Sequence, residues 1–116
     1  MKMKKVIIMA ALLISGVFYA QEVQPKYEVV GNEVKATYFH DNGQVKQEGI
    51  YLAGKLQGKW ISYNENGNKV AIGEYNNGIK VGKWFFWTDD TLNEVDYTDN
   101  RVADVRKWSK EALVKN

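Results

Sequence analysis

His40 and Asp41 stand side by side near the end of Thr37-Tyr38-Phe39-His40-Asp41-Asn42-Gly43, and His40 is the only histidine in the chain. A histidine next to an aspartate suggests a general base steadied by a carboxylate. Neighbouring residues of a strand point to opposite faces, however, and no serine or threonine is singled out as a nucleophile. The expectation is a surface turn residue. Gly-Lys recurs at Gly54-Lys55, Gly58-Lys59 and Gly82-Lys83. A phosphate loop needs Gly-x4-Gly-Lys-Ser/Thr, whereas Gly54 to Lys59 is one residue short and is followed by Trp60. Asp89, Asp90, Glu94, Asp96 and Asp99 are dense in acid but lack the spacing and glycine of a calcium loop. Glu48 and Glu74 are the one carboxylate pair that glycoside hydrolysis would use, and that chemistry also needs a cleft. The reading is therefore of no catalytic residue, no metal and no cofactor. A small enzyme using His40 or the carboxylates is kept as an alternative.

The elements that must carry these residues follow from a repeat. Gly-Lys-Trp occurs at Gly58-Lys59-Trp60 and again 24 positions later at Gly82-Lys83-Trp84. The same shift lays Asn42-Gly43 on Asn66-Gly67, Gly49 on Gly73, Tyr51 on Tyr75 and Gly54 on Gly78, and it aligns Phe39, Tyr63 and Trp87. Periods of this size mark stacked architectures. Each copy reads as strand, turn, strand, turn. Trp60 to Tyr63 suits a pleated surface. Asn64-Glu65-Asn66-Gly67 supplies a turn because Gly and Asn take positive φ cheaply. Lys69 to Tyr75 is a second strand, with Ala71, Gly73 and Tyr75 on one face and Val70, Ile72 and Glu74 on the other. Asn77-Gly78 favours a tight hairpin.

Tyr27 to Val30, Gly31-Asn32 and Glu33 to Thr37 suggest an opening hairpin. In the third copy Asp90-Thr91 stands where Asn-Gly is expected, and Tyr97 follows Tyr75 after 22 residues, two fewer than the period. Terminal repeats are often atypical because one side lacks a neighbour. Val102, Val105, Trp108 and Ala112 sit at helical spacing, while Glu94 to Tyr97, Asp99-Asn100 and Ala103 to Trp108 read as one more hairpin. The expectation is a strand to about Trp108 and a loose or briefly helical tail.

The chain has 116 residues, which bounds it to one domain. Lys2, Lys4 and Lys5, the apolar run Val6 to Val17 and a cut site at Ala20-Gln21 have the layout of a secretory signal peptide. An uncleaved anchor is the alternative, although the run is short of the roughly 20 residues that span a bilayer. Cleavage changes the formal charge from +2 to −1, because three lysines leave and no acid does. No basic patch is left to argue for nucleic acid. The absence of cysteine excludes disulfides and thiolate chemistry. The organisation expected is residues 1–20 as signal peptide, 21–33 as N-terminal segment and opening hairpin, 34–101 as repeats and 102–116 as capping strand or tail.

The units from Tyr63 through Gly78 to Gly82-Lys83-Trp84 resemble MORN repeats of the variant bacterial type. The resemblance covers about Val34 to Tyr97 and implies an all-β, elongated antiparallel sheet of successive hairpins from about three 24-residue units. Family members serve as scaffolds, membrane-surface modules or protein-interaction modules, and some are labelled antitoxin components. The leader fits that last role badly, since an antitoxin usually meets its toxin in the cytoplasm. A leader followed by a small repeat module is similar to exported proteins of Bacteroidetes-type bacteria.

Aromatics are the strongest positive feature. The chain has four Trp, seven Tyr and four Phe, of which only Phe18 and Tyr19 lie in the leader. Trp84-Phe85-Phe86-Trp87 places rings on both faces of one strand. Some must act as core, because a single sheet has no second layer. The rest are candidates for a platform, and Trp60, Tyr63, Tyr75, Trp84 and Trp87 are its expected anchors. The function expected is an exported, non-enzymatic module that binds a protein or membrane surface at the cell envelope. A glycan- or peptidoglycan-binding module using the same rings is the alternative.

Overall fold

In the computed structural model of the chain, residues 23–109 are described. The expected signal peptide and the end of the C-terminal segment, residues 110–116, lie outside them. Eight strands follow in chain order: β1 (Lys26–Val30), β2 (Glu33–Phe39), β3 (Val45–Leu52), β4 (Lys55–Tyr63), β5 (Lys69–Asn76), β6 (Ile79–Trp87), β7 (Thr91–Thr98) and β8 (Arg101–Ser109). Each pairs antiparallel with the next, so one open sheet is built from successive hairpins.

Turn chemistry sets this order. At one end of the strands the connections are two residues long. Ala53-Gly54, Asn77-Gly78 and Asp99-Asn100 all have positive φ at both positions. That is the mirror-image turn whose twist matches the strands it joins. At the other end, residues 40–44 and 64–68 form matching five-residue turns. The amide of His40 donates to the Gln44 carbonyl at 2.8 Å and that of Gly43 to the His40 carbonyl at 2.9 Å. One repeat later, Asn64 donates to Asn68 at 2.8 Å and Gly67 to Asn64 at 3.0 Å. The third turn, residues 88–90, is shorter by the two residues that the sequence loses there. The deletion falls entirely in the turn, so Tyr97 still packs edge-on against Trp84 at 5.7 Å between centroids.

The helical spacing of Val102, Val105 and Trp108 is overridden. These residues lie in β8, where Val105 pairs with Val95 and Trp108 with Leu92. Asp99-Asn100 imposes a hairpin return, and β7 offers a ladder of backbone partners that an isolated helical turn would have to do without.

The recurrent Gly-Lys-Trp now has a structural meaning. Ile61 pairs with Glu48 and Gln57 with Ile50, so Gly58, Lys59 and Trp60 lie opposite Gly49 alone. Likewise Gly82, Lys83 and Trp84 lie opposite Gly73 alone. The triplet is a β-bulge, and its first residue takes a left-handed φ (72° at Gly58, 71° at Gly82) that glycine adopts without steric cost. Two residues on, the tryptophan ring lies over the opposing glycine. A β-carbon at Gly49 would fall 2.1 Å from the Trp60 ring, and one at Gly73 would fall 1.9 Å from Trp84. The indole N–H of Trp60 donates to the Ile50 carbonyl at 3.1 Å. That of Trp84 donates to the carbonyls of Glu74 and Val81, each at 3.2 Å. Trp60 and Trp84 are 3% and 7% exposed, and with Ala36 they form the core. A single-layered sheet thus makes its own second layer from rings lying on glycines.

Candidate functional site: the two aromatic faces

The strand register sorts every ring onto one of two faces. On the first, edge-to-face contacts run without a break from Tyr51 to Trp60, Tyr75, Trp84 and Tyr97, at 5.1 to 6.4 Å between centroids. Phe86 stacks on Trp84 at 6.1 Å. Hydroxyls extend the row, with Tyr27 donating to Tyr38 at 3.4 Å and the Tyr38 and Tyr51 oxygens 2.9 Å apart. These two hydrogen bonds, first the one to Tyr27 and then the one to Tyr51, hold the Tyr38 phenol well above its ordinary range. Burial pushes the Tyr75 phenol up. The Lys80 ammonium sits 5.3 Å from the Trp84 ring and 5.0 Å from the Tyr97 ring, where the negative ring faces attract it.

The second face carries Ile61, Tyr63, Val70, Ile72, Phe85, Trp87 and Leu92. Ile61 pairs with Ile72 and Ile72 with Phe85. Trp87 pairs with Leu92, which pairs with Trp108. All of these but Trp108 are half-buried, Trp108 is exposed, and among the described residues no further layer covers them. Tyr63 donates its hydroxyl to Glu48 at 2.8 Å, which with burial raises its pKa. Lys83 donates to Glu94 at 3.0 Å and lies 3.8 Å from Asp96. Through that hydrogen bond Lys83 holds the Glu94 carboxyl below its usual range, and Glu94 holds the Lys83 ammonium above its own.

The five rings expected to form one platform are therefore divided. Trp60 and Trp84 are core, and Tyr75 is the half-buried ring between them. Only Tyr63 and Trp87 occupy the second face. Both end their strands, as does Phe39, their counterpart one repeat before Tyr63. Beside Trp87 is an open groove of about 550 Å³, lined also by Asn64, Asn68, Lys69, Thr88 and Asp89. It lies between the five-residue turn after β4 and the short turn after β6, so the loss of two residues in the third repeat shapes it.

No family model matches this chain, and no curated protein does. The resemblance to MORN repeats thus rests on the residues and their spacing.

The chemistry-bearing residues of the sequence are dispersed. The His40 ring Nε2 donates 2.8 Å to the Tyr63 carbonyl, and the Asn42 amide donates 2.9 Å to the Glu65 carbonyl. His40 is thus a tie between successive turns as well as a turn residue. In the acidic segment, Glu94 and Asp96 face Lys83, Asp89 and Asp90 belong to the turn after β6, and Asp99 belongs to the turn at the opposite end. The groove at Trp87 is the feature that sequence reasoning missed. Its polar lining comes from two different turns, and only their different lengths hinted at it.

Proposed function

We propose that this chain is an exported, non-enzymatic β-hairpin repeat module of MORN type that binds or scaffolds a protein or membrane surface at the cell envelope. The observation that supports the reading is the second face. There half-buried rings and aliphatic side chains, with the exposed Trp108, have no further layer over them among the described residues, while the two tryptophans of the first face are buried in its own packing. Uncovered apolar surface on an exported protein is a place for a partner, and rigid aromatic side chains lose little entropy on contact. The export itself rests on the leader composition.

Capture from an envelope fraction by the purified full chain, beside a Trp87→Ala variant, tests it. Retention of an envelope component by the wild type and its loss in the variant, with the circular dichroism spectrum unchanged, is the expected result. Equal retention by both would remove the second face as the contact surface.

A glycan-binding reading is favoured by one specific observation. Trp87 lines the groove together with Asn64, Asn68 and Asp89. A flat ring for the sugar face and planar polar groups for its hydroxyls is the usual arrangement of a binding pocket, in which few polar groups set orientation. Sedimentation with insoluble peptidoglycan that is lost on Trp87→Ala and reduced on Asn68→Ala would select it over the protein-partner reading.

A further inference from the structure

We propose that β8 is a docking edge for a second copy of this chain, pairing antiparallel with its own counterpart about a twofold axis at Val105. Among the described residues β8 is the last strand of the sheet and has a strand neighbour on one side only, β7. Such an edge presents unpaired backbone donors and acceptors that template another strand. The two edges of this sheet are not equally open. β1 has five residues and directly follows Pro25, whereas β8 has nine and contains no proline. All nine residues of β8 are exposed, including Val102 at 57% and Val105 at 56%.

The charge pattern selects the partner and the register. Beyond the bulge at Ala103, β8 directs Asp104 and Arg106 to the second face and Val105 and Lys107 to the first. A twofold axis perpendicular to the sheet keeps faces continuous, so only registers that pair residues of one face are allowed. Centring the axis on Val105 sets Asp104 opposite the partner's Arg106 and Arg106 opposite the partner's Asp104, with valine on valine between them. Centring on Asp104, Arg106 or Lys107 places like charges directly opposite each other, which destabilises the pair, and centring on Val102, Ala103 or Trp108 forms neither of the two Asp104–Arg106 pairs. The Asp104 and Arg106 side chains are 59% and 61% exposed and already form an ion pair with each other at 3.6 Å, so the twofold pairing extends this exposed pair into a four-charge cluster across the axis. One strand edge buries less than a standard interface, so the association is reversible and depends on concentration.

Sedimentation equilibrium of the purified full chain over a wide concentration range tests this. The expected result is a monomer–dimer equilibrium for the wild type. Asp104→Arg and Arg106→Asp should each raise the dimer dissociation constant by about tenfold or more, since each creates two like-charge oppositions. An equimolar mixture of the two variants should dimerise again, because each then presents the charges that the other lacks. Val105→Lys, which leaves both charges in place, should also abolish the dimer by setting two lysines on the axis. Melting temperatures of all variants, read by circular dichroism, identify any that fail to fold. A wild type that stays monomeric, single variants that dimerise as the wild type does, or a mixture that stays monomeric would each overturn the proposal.

Discussion

The indole of Trp84 lies on Gly73 so closely that a β-carbon there would sit 1.9 Å from the ring, and Trp60 repeats the arrangement on Gly49 at 2.1 Å. The glycine and the tryptophan come from adjacent strands, and each is useless to the fold without the other. Gly73→Ala should therefore destabilise the chain by about 2–3 kcal/mol, since the ring must leave its seat and its N–H must leave the Glu74 carbonyl. Gly54→Ala, at φ 79° with no atom nearby, should cost only the backbone strain, about 1 kcal/mol. Equal urea midpoints for the two variants would contradict the seat.

Gly67 separates the same two causes at a turn. Its φ is 90° and only the Gln44 side chain approaches, at 3.6 Å. Gly67→Val should cost about 1–3 kcal/mol, because a β-branched residue resists this conformation. Asn68→Ser should stay within about 0.5 kcal/mol, since Asn68 is exposed and takes part in the turn through its backbone. Thermal melts of the two variants should differ clearly, and coincident melts would refute the turn geometry.

His40 holds the place that Asn64 holds one repeat later, and the comparison suggests a substitution. The Asn64 side-chain oxygen accepts from the amides of Asn66 at 2.9 Å and Asn68 at 3.0 Å. His40→Ala removes the bond to the Tyr63 carbonyl and should cost about 1 kcal/mol. His40→Asn should recover most of it by closing its own turn in the manner of Asn64. Chemical denaturation in which asparagine is no better than alanine would show that the inter-turn bond alone matters.

Lys83 and Glu94 predict an acid limb of stability. With the Glu94 carboxyl held below its usual range, chiefly by the hydrogen bond from Lys83, the unfolded chain binds a proton before the folded chain does. The contribution of the pair is complete at neutral pH. It declines as pH drops below the ordinary carboxylate value of about 4.3 and through the lowered folded value. Between about pH 5 and pH 3, the melting temperature of Lys83→Met should fall less steeply than that of the wild type. Parallel slopes would mean that the pair is screened by solvent.

The repeat made most of the ladder legible. Gly43, Gly54, Gly67 and Gly78 mark turns by a local requirement for positive φ, which needs no knowledge of the rest of the chain. Alternation in Lys69 to Tyr75 gave the two faces correctly, because strand periodicity is also local. The site was harder to read. Trp84 and Trp87 belong to the same aromatic run, and the sequence treats them as equivalent anchors.

By itself, then, the sequence determined the period, the turns, the antiparallel order and the division of each strand into two faces, all of which follow from backbone preferences over a few residues. Only the tertiary structure decided which face became the core. That choice depends on whether the ring meets a glycine on the neighbouring strand. Trp84 meets Gly73 across a bulge and is buried. Trp87, three residues later on the other face, pairs with Leu92 and keeps one side open to a groove between two turns.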